Sequence, residues 1–69
     1  MNLALDIGNT NVKLAIFQSN QIVKSSMTNS LSENYLKKII NQYPIKTICY
    51  SNSGEPLHWI NNFCIKSNL

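Results

Sequence analysis

The stretch from Asp6 through Ile7, Gly8, Asn9, Thr10 and Asn11 to Lys13 concentrates more usable chemistry than any other part of this 69-residue chain. Asp6 is the only acidic residue among the first 32, and it stands inside the apolar run Leu3-Ala4-Leu5-Asp6-Ile7. A carboxylate near the end of an interior strand is costly to bury ionised unless it is paired or metal-bound. The loop that follows offers one glycine and three hydroxyl or amide side chains. Successive backbone N–H groups in such a loop can point into one concavity that binds anions, phosphate above all. Lys13 adds a point charge within reach of the same loop. The set therefore describes a Mg·phosphate cradle, with Asp6 for a metal-bound water, residues 8–11 for phosphate oxygens and Lys13 for charge neutralisation. Positioning and charge stabilisation are most of what phosphoryl transfer asks of a protein. The same residues also suit a polar hairpin turn in which Asp6 accepts amide hydrogens from its own loop. Four positions of pattern do not choose between the two.

Little else is equipped for chemistry. The other acids are Glu33 and Glu55, the first in a capping-box pattern and the second at a helix start, so each has a sufficient local role. His58 is the only histidine, and a general base needs demonstrated reach to its proton. Cys49 and Cys64 lack the second pair that a zinc site needs. Cys49, in the apolar run Thr47-Ile48-Cys49-Tyr50, reads as a small buried thiol. One pairing of the two would not make a secreted disulfide scaffold. Asp6 interrupts the first apolar stretch with no basic segment before it, so the opening does not read as a secretion signal. No apolar run is long enough to span a bilayer. A reduced, cytoplasmic protein with no membrane partner is the expectation.

The elements that must position these residues can be read from period and punctuation. Residues 3–7 form a strand apolar on both faces except at Asp6, as an interior strand would be. Gly8 to Asn11 is turn chemistry, where Gly and Asn tolerate positive φ. Residues 12–17 resume the strand pattern and close a hairpin. Gln18 to Gln21 signals a second turn, and 22–28 is a more polar strand, suited to an edge. Ser30-Leu31-Ser32-Glu33 has capping-box spacing and opens a helix over 31–42, with Leu31, Tyr35 and Ile39 on one stripe. Lys37 and Lys38 fall in its C-terminal half, where cations complement the dipole, and Pro44 ends it. Residues 45–50 make a fourth strand rich in β-branched side chains. Glu55 and Pro56 suit the first turn of a last helix, which gathers Leu57, Ile60, Phe63 and Cys64 on one face.

The order β-β-β-α-β-α, with a helix between strands three and four, permits those strands to lie parallel. A meander feeding a crossover helix is the first part of a ribonuclease H-like, actin-like α/β sheet. Residues 1–69 would be a single N-terminal half-domain, its mixed sheet lacking the later strands of that class. At 69 residues only about 60% of the unfolded surface is buried, so the core is small. With 43% apolar and 13% charged residues, the chain has enough apolar content to fold.

Leu5-Asp6-Ile7-Gly8-Asn9-Thr10-Asn11, followed by Lys13 and a strand ending at Phe17, resembles the first phosphate motif of type III pantothenate kinases. That family belongs to the acetate kinase/sugar kinase/Hsp70/actin superfamily. The run Tyr50-Ser51-Asn52-Ser53 before Glu55-Pro56-Leu57 is similar, more loosely, to its serine-containing loop leading into a helix. The resemblance covers the whole chain in layout and is specific over residues 3 to 17. It implies that Asp6 helps hold Mg²⁺ and the ATP phosphates, that Gly8 to Asn11 wrap the phosphates, and that Lys13 contacts the transferring group. The implied reaction is ATP-dependent phosphorylation of pantothenate, the committed step of coenzyme A biosynthesis, with a monovalent cation such as K⁺ and a homodimer in the family.

The family's catalytic aspartate lies in a later GxDR-type motif absent from this chain, as are its second phosphate motif and adenosine motif. No catalytic residue is therefore expected within residues 1–69, and pantothenate would be a partner only with the missing part present. The chain reads as the N-terminal fragment of such a kinase, inactive alone. Two other classes compare poorly or differently. A ribonuclease H-like nuclease needs further carboxylates for two metals, and only three acids are present. Nucleic acid is not an expected partner: the net charge is +3, but its six lysines are scattered and arginine is absent. A non-catalytic interaction domain, docking a partner through its open sheet edge, is the alternative. Trp59, Phe63 and Ile65 would either face that partner or pack the last helix onto the sheet.

Overall fold

Burial along the first two strands alternates with period two, and this decides the architecture. In β1 (Asn2–Ile7), Leu3, Leu5 and Ile7 are buried; in β2 (Val12–Gln18), Val12, Leu14 and Ile16 are. Successive strand side chains point to opposite faces, so these six branched residues tile one face of the sheet. The computed structural model describes residues 1–67 and 69. The remaining elements are β3 (Gln21–Thr28), α1 (Glu33–Gln42), β4 (Thr47–Asn52) and α2 (His58–Lys66), in the expected order. The four strands form one mixed sheet in the spatial order β3-β2-β1-β4. β2 is antiparallel to both neighbours, and β4 joins β1 in parallel through the crossover that α1 provides. The chain is thus a small α/β domain with a mixed four-stranded sheet and two helices.

Both helices pack on the branched face. Leu31 and Leu36 from the α1 region, Ile45 from the crossover, and Ile60, Phe63 and Cys64 from α2 complete one contiguous core. Full burial of each large side chain stabilises by roughly 1.5–3 kcal/mol, and Leu36, at 0% exposure, is the anchor of α1. Trp59 stands edge-on to Phe63, ring centroids 6.1 Å apart at 89°, and packs against the core. Of the three apolar residues that could have faced a partner, only Ile65 is exposed. Among the described residues no helix is long and apolar enough to cross a membrane.

Several boundaries differ from the sequence reading, each for a local reason. The N-cap of α1 is Ser32, whose Oγ accepts from the Tyr35 amide at 3.1 Å. Ser30 does not cap the helix; its amide and carbonyl both meet the Thr28 hydroxyl, and Leu31 enters the core ahead of the first turn. Helix α1 has no basic residue in its last turn, and Lys37 instead reaches back to Glu33 at 4.0 Å. Tyr43 is extended, as the residue before a proline prefers. The fourth strand begins at Thr47 rather than Ile45: Ile45 is used as a core plug, and the Lys46 amide donates to the Met1 carbonyl at 2.8 Å. It ends later because β1 offers partners as far as Asp6 and Ile7.

Helix α2 starts at His58, after an N-cap Leu57 without a side-chain cap. Glu55 and Pro56 lie before its first turn. The Asn52 side chain holds that loop open, accepting from the Gly54 amide at 2.9 Å and donating to the Glu55 carbonyl at 3.0 Å. Cys49 is exposed rather than buried. It follows Ile48, the β4 residue that packs on the core, so alternation turns it to the uncovered face.

Candidate functional site

Asp6 is paired across the sheet with Lys13 on one side and Ser51 on the other. Directly opposed residues on neighbouring strands share a face, so carboxylate, ammonium and hydroxyl are grouped on one patch. That patch lies on the face without helices. Asp6 and Lys13 are both exposed, and the described residues include no buried charged side chain. The expected burial of Asp6 in an interior strand is therefore corrected. β1 is interior in the sheet, but only its Leu3-Leu5-Ile7 side is covered. The carboxylate meets water. The described ion pair is Lys37–Glu33, so Asp6 and Lys13 are neighbours without a direct bridge.

The turn between β1 and β2 is closed by the Gly8 amide, which donates to the Asn11 carbonyl at 3.0 Å. Neither Gly8 nor its asparagines have positive φ; that conformation occurs at Ser19 (φ 52°) and Asn20 (φ 66°), in the two-residue turn joining β2 to β3. A turn with two positive-φ residues matches the twist of its flanking strands, which is why the left-handed pair sits there. The role expected of Gly8 in supplying positive φ is thus not the one it has. Asn9 and Thr10 are exposed at the tip, and their amides make no backbone hydrogen bond among the described residues.

A second loop completes the site. The Ser53 amide donates to the Ile7 carbonyl at 2.9 Å, and the Ser53 hydroxyl lies 3.5 Å from the same oxygen. Gly54 then passes so close to the first turn that a Cβ on it would lie 2.6 Å from the Gly8 carbonyl oxygen and 3.0 Å from the Asn9 nitrogen. Only a residue without a side chain fits there. The segments following β1 and β4, two parallel strands, therefore meet at the carboxyl end of the sheet. Ligands of open α/β sheets bind in that position.

The structure brings together Asp6, Lys13 and the loop Gly8, Asn9, Thr10 and Asn11, and it adds Ser51, Ser53 and Gly54. The additions have a faint sequence signal: the chain contains two glycines, and the second lies in the serine-containing loop. Parallel pairing of β1 with β4 is what makes them neighbours, and pairing is not written locally. Glu33 is committed to Lys37 and the Glu55 carbonyl to Asn52. His58 is exposed in the first turn of α2.

No group of three or more His, Cys, Asp or Glu able to hold a metal occurs among the described residues. That donor set does not make an all-protein metal cage. It does fit Mg²⁺, which keeps several waters and is commonly held by one or two carboxylates together with substrate phosphates. Comparison with models of known protein families finds no match to this chain, and comparison with curated proteins finds none either.

Proposed function

We propose that this chain is the N-terminal, phosphate-holding subdomain of a ribonuclease H-like kinase resembling type III pantothenate kinase, working in the cytoplasm. The observation that carries this reading is the meeting of the two loops beyond parallel β1 and β4, beside an exposed carboxylate and lysine. Mg²⁺ bound with ATP would shield the phosphate charge. Asp6, on the open face, would hold that ion through a bound water. The amides of Asn9 and Thr10, which make no backbone hydrogen bond among the described residues, donate to phosphate oxygens, and Gly54, by lacking a side chain, lets the second loop back closely onto the turn that carries them. Lys13, in register with Asp6, balances the charge of the transferred group. The acceptor hydroxyl and the base that deprotonates it belong to the second subdomain that this reading requires. K⁺ and a homodimer enter on the family resemblance alone.

Amide-resolved NMR of the chain with Mg·ATP tests this. Shifts confined to residues 6–13 and 51–54 are expected, and Asp6→Asn should weaken them by about tenfold, the order of one lost charged contact, while leaving the fold intact. Equal binding by Asp6→Asn, or shifts scattered over the sheet, would sink the assignment. The reading as a non-catalytic docking domain is favoured by one feature, the uncovered sheet face beside the outer edge of β4, which pairs with β1 alone. It predicts that a partner, and not Mg·ATP, protects β4 amides from exchange.

A further inference from the structure

The face of the sheet that carries the helices changes character at β3. Its positions there are Lys24, Ser26 and Thr28, opposite Ile16, Leu14 and Val12 of β2, so the apolar floor gives way to a polar strip. A groove of about 230 Å³ opens between this strip and α1. Leu14, Ile16 and Ile39 supply its apolar wall, and Lys24, Lys38 and Tyr35 stand around it. None of its lining residues is acidic. Both lysines are exposed, and neither takes part in the described ion pair, which uses their neighbour Lys37 instead.

An apolar slot with a rim of uncompensated positive charge is complementary to an amphipathic anion. At about 30 Å³ for each water-sized group, the space holds about eight heavy atoms. That is too little for a nucleotide or a peptide helix and suits a short alkyl chain. Arginine, which favours bidentate phosphate contacts, is absent from the chain. A carboxylate needs only point charges. We infer that the groove binds a free, unbranched, medium-chain monocarboxylate, its tail along Leu14, Ile16 and Ile39 and its head at Lys24 and Lys38. The groove lies on the opposite sheet face from Asp6 and Lys13, so this inference stands or falls independently of the phosphate site.

The test is an amide NMR titration of the chain with sodium octanoate, butyrate and octylammonium. Octanoate should bind with millimolar affinity, as expected for so small a ligand, and shift the amides of Lys24, Ser26, Tyr35 and Ile39. Butyrate, four methylenes shorter, should bind about a hundredfold more weakly, since each lost methylene removes apolar burial. Octylammonium, with the same tail and the opposite charge, should give no saturable shift. The exposed double substitution K24Q/K38Q should keep the dispersed spectrum and lose about tenfold in octanoate affinity. Octylammonium binding as tightly as octanoate, an unchanged affinity in K24Q/K38Q, or octanoate shifts absent from the groove would each overturn the proposal.

Discussion

Asp6 and Cys64 show how much a residue's setting depends on which face of an element it occupies. The carboxylate sits in water between Lys13 and Ser51, whereas the thiol sits in the core beneath α2, where burial pushes its pKa above the ordinary value of 9.0. Cys49, two strand positions from Ser51, is exposed. A thiol reagent at mildly alkaline pH should therefore modify Cys49 first, with Cys64 about tenfold or more slower, because reaction requires both thiolate and access. Peptide mapping of a time course reads this directly, and equal rates would mean that α2 opens freely. The linkage has a definite sign. With its folded pKa raised, Cys64 contributes stability that is fully present below 9.0 and is lost as pH climbs through the higher folded value. Melting curves of the chain and of Cys64→Ala should therefore converge at alkaline pH.

Two local devices fix the elements, and each can be tested by a matched pair of substitutions. Ser32 caps α1 and Ser30 does not, so Ser32→Ala should cost about 1 kcal/mol while Ser30→Ala stays within about 0.5 kcal/mol. Denaturant midpoints compare the two, and the reverse order would restore the capping box that the sequence suggests. At the loops, a methyl on Gly8 would sit 3.2 Å from the Asn11 carbonyl, a mild conflict, whereas one on Gly54 would sit 2.6 Å from the Gly8 carbonyl. Gly54→Ala should thus cost about 1–3 kcal/mol, the usual scale of overpacking, and Gly8→Ala clearly less. Equal losses would show that the second loop can retreat. Element order, the edge character of β3 and the helix stop at Pro44 were all legible, because period-two alternation, polarity and proline act locally. The start of α1 was not, since Ser30 and Ser32 offer the same chemistry and only the placement of Leu31 in the core decides between them. The start of α2 was not either, because Asn52 holds the loop through its side chain where Glu55 and Pro56 together suggested a first turn.

For the molecule as a whole, the decisive fact is a core built on one side of the sheet. The sequence shows Leu3-Ala4-Leu5-Asp6-Ile7 as a nearly continuous apolar run, which suggests cover on both faces; small Ala4 and charged Asp6 were the only hints that one side is bare. Such a core has few residues to spare. Leu36, buried completely, should cost about 2–5 kcal/mol when cut to Ala, close to all the stability that a chain below about 70–80 residues commands. Thermal unfolding followed by circular dichroism should show the transition of Leu36→Ala lowered by about 10 °C or more; a drop of only a few degrees would mean that α1 contributes little to holding the sheet.

The contact between the two glycine-bearing loops also constrains how this piece could be inherited. Ile7 and Ser53, the residues that tie the loops together, are 46 positions apart in the chain, yet Gly54 fits only against the turn that Gly8 makes. The opening hairpin is therefore not a portable cassette. Transplanting it into another scaffold without the segment after β4 would leave the turn without its backing, while lengthening either loop would push on the other. Recombination that preserves function must cut outside both, so residues from the first strand through the second loop should travel as one block.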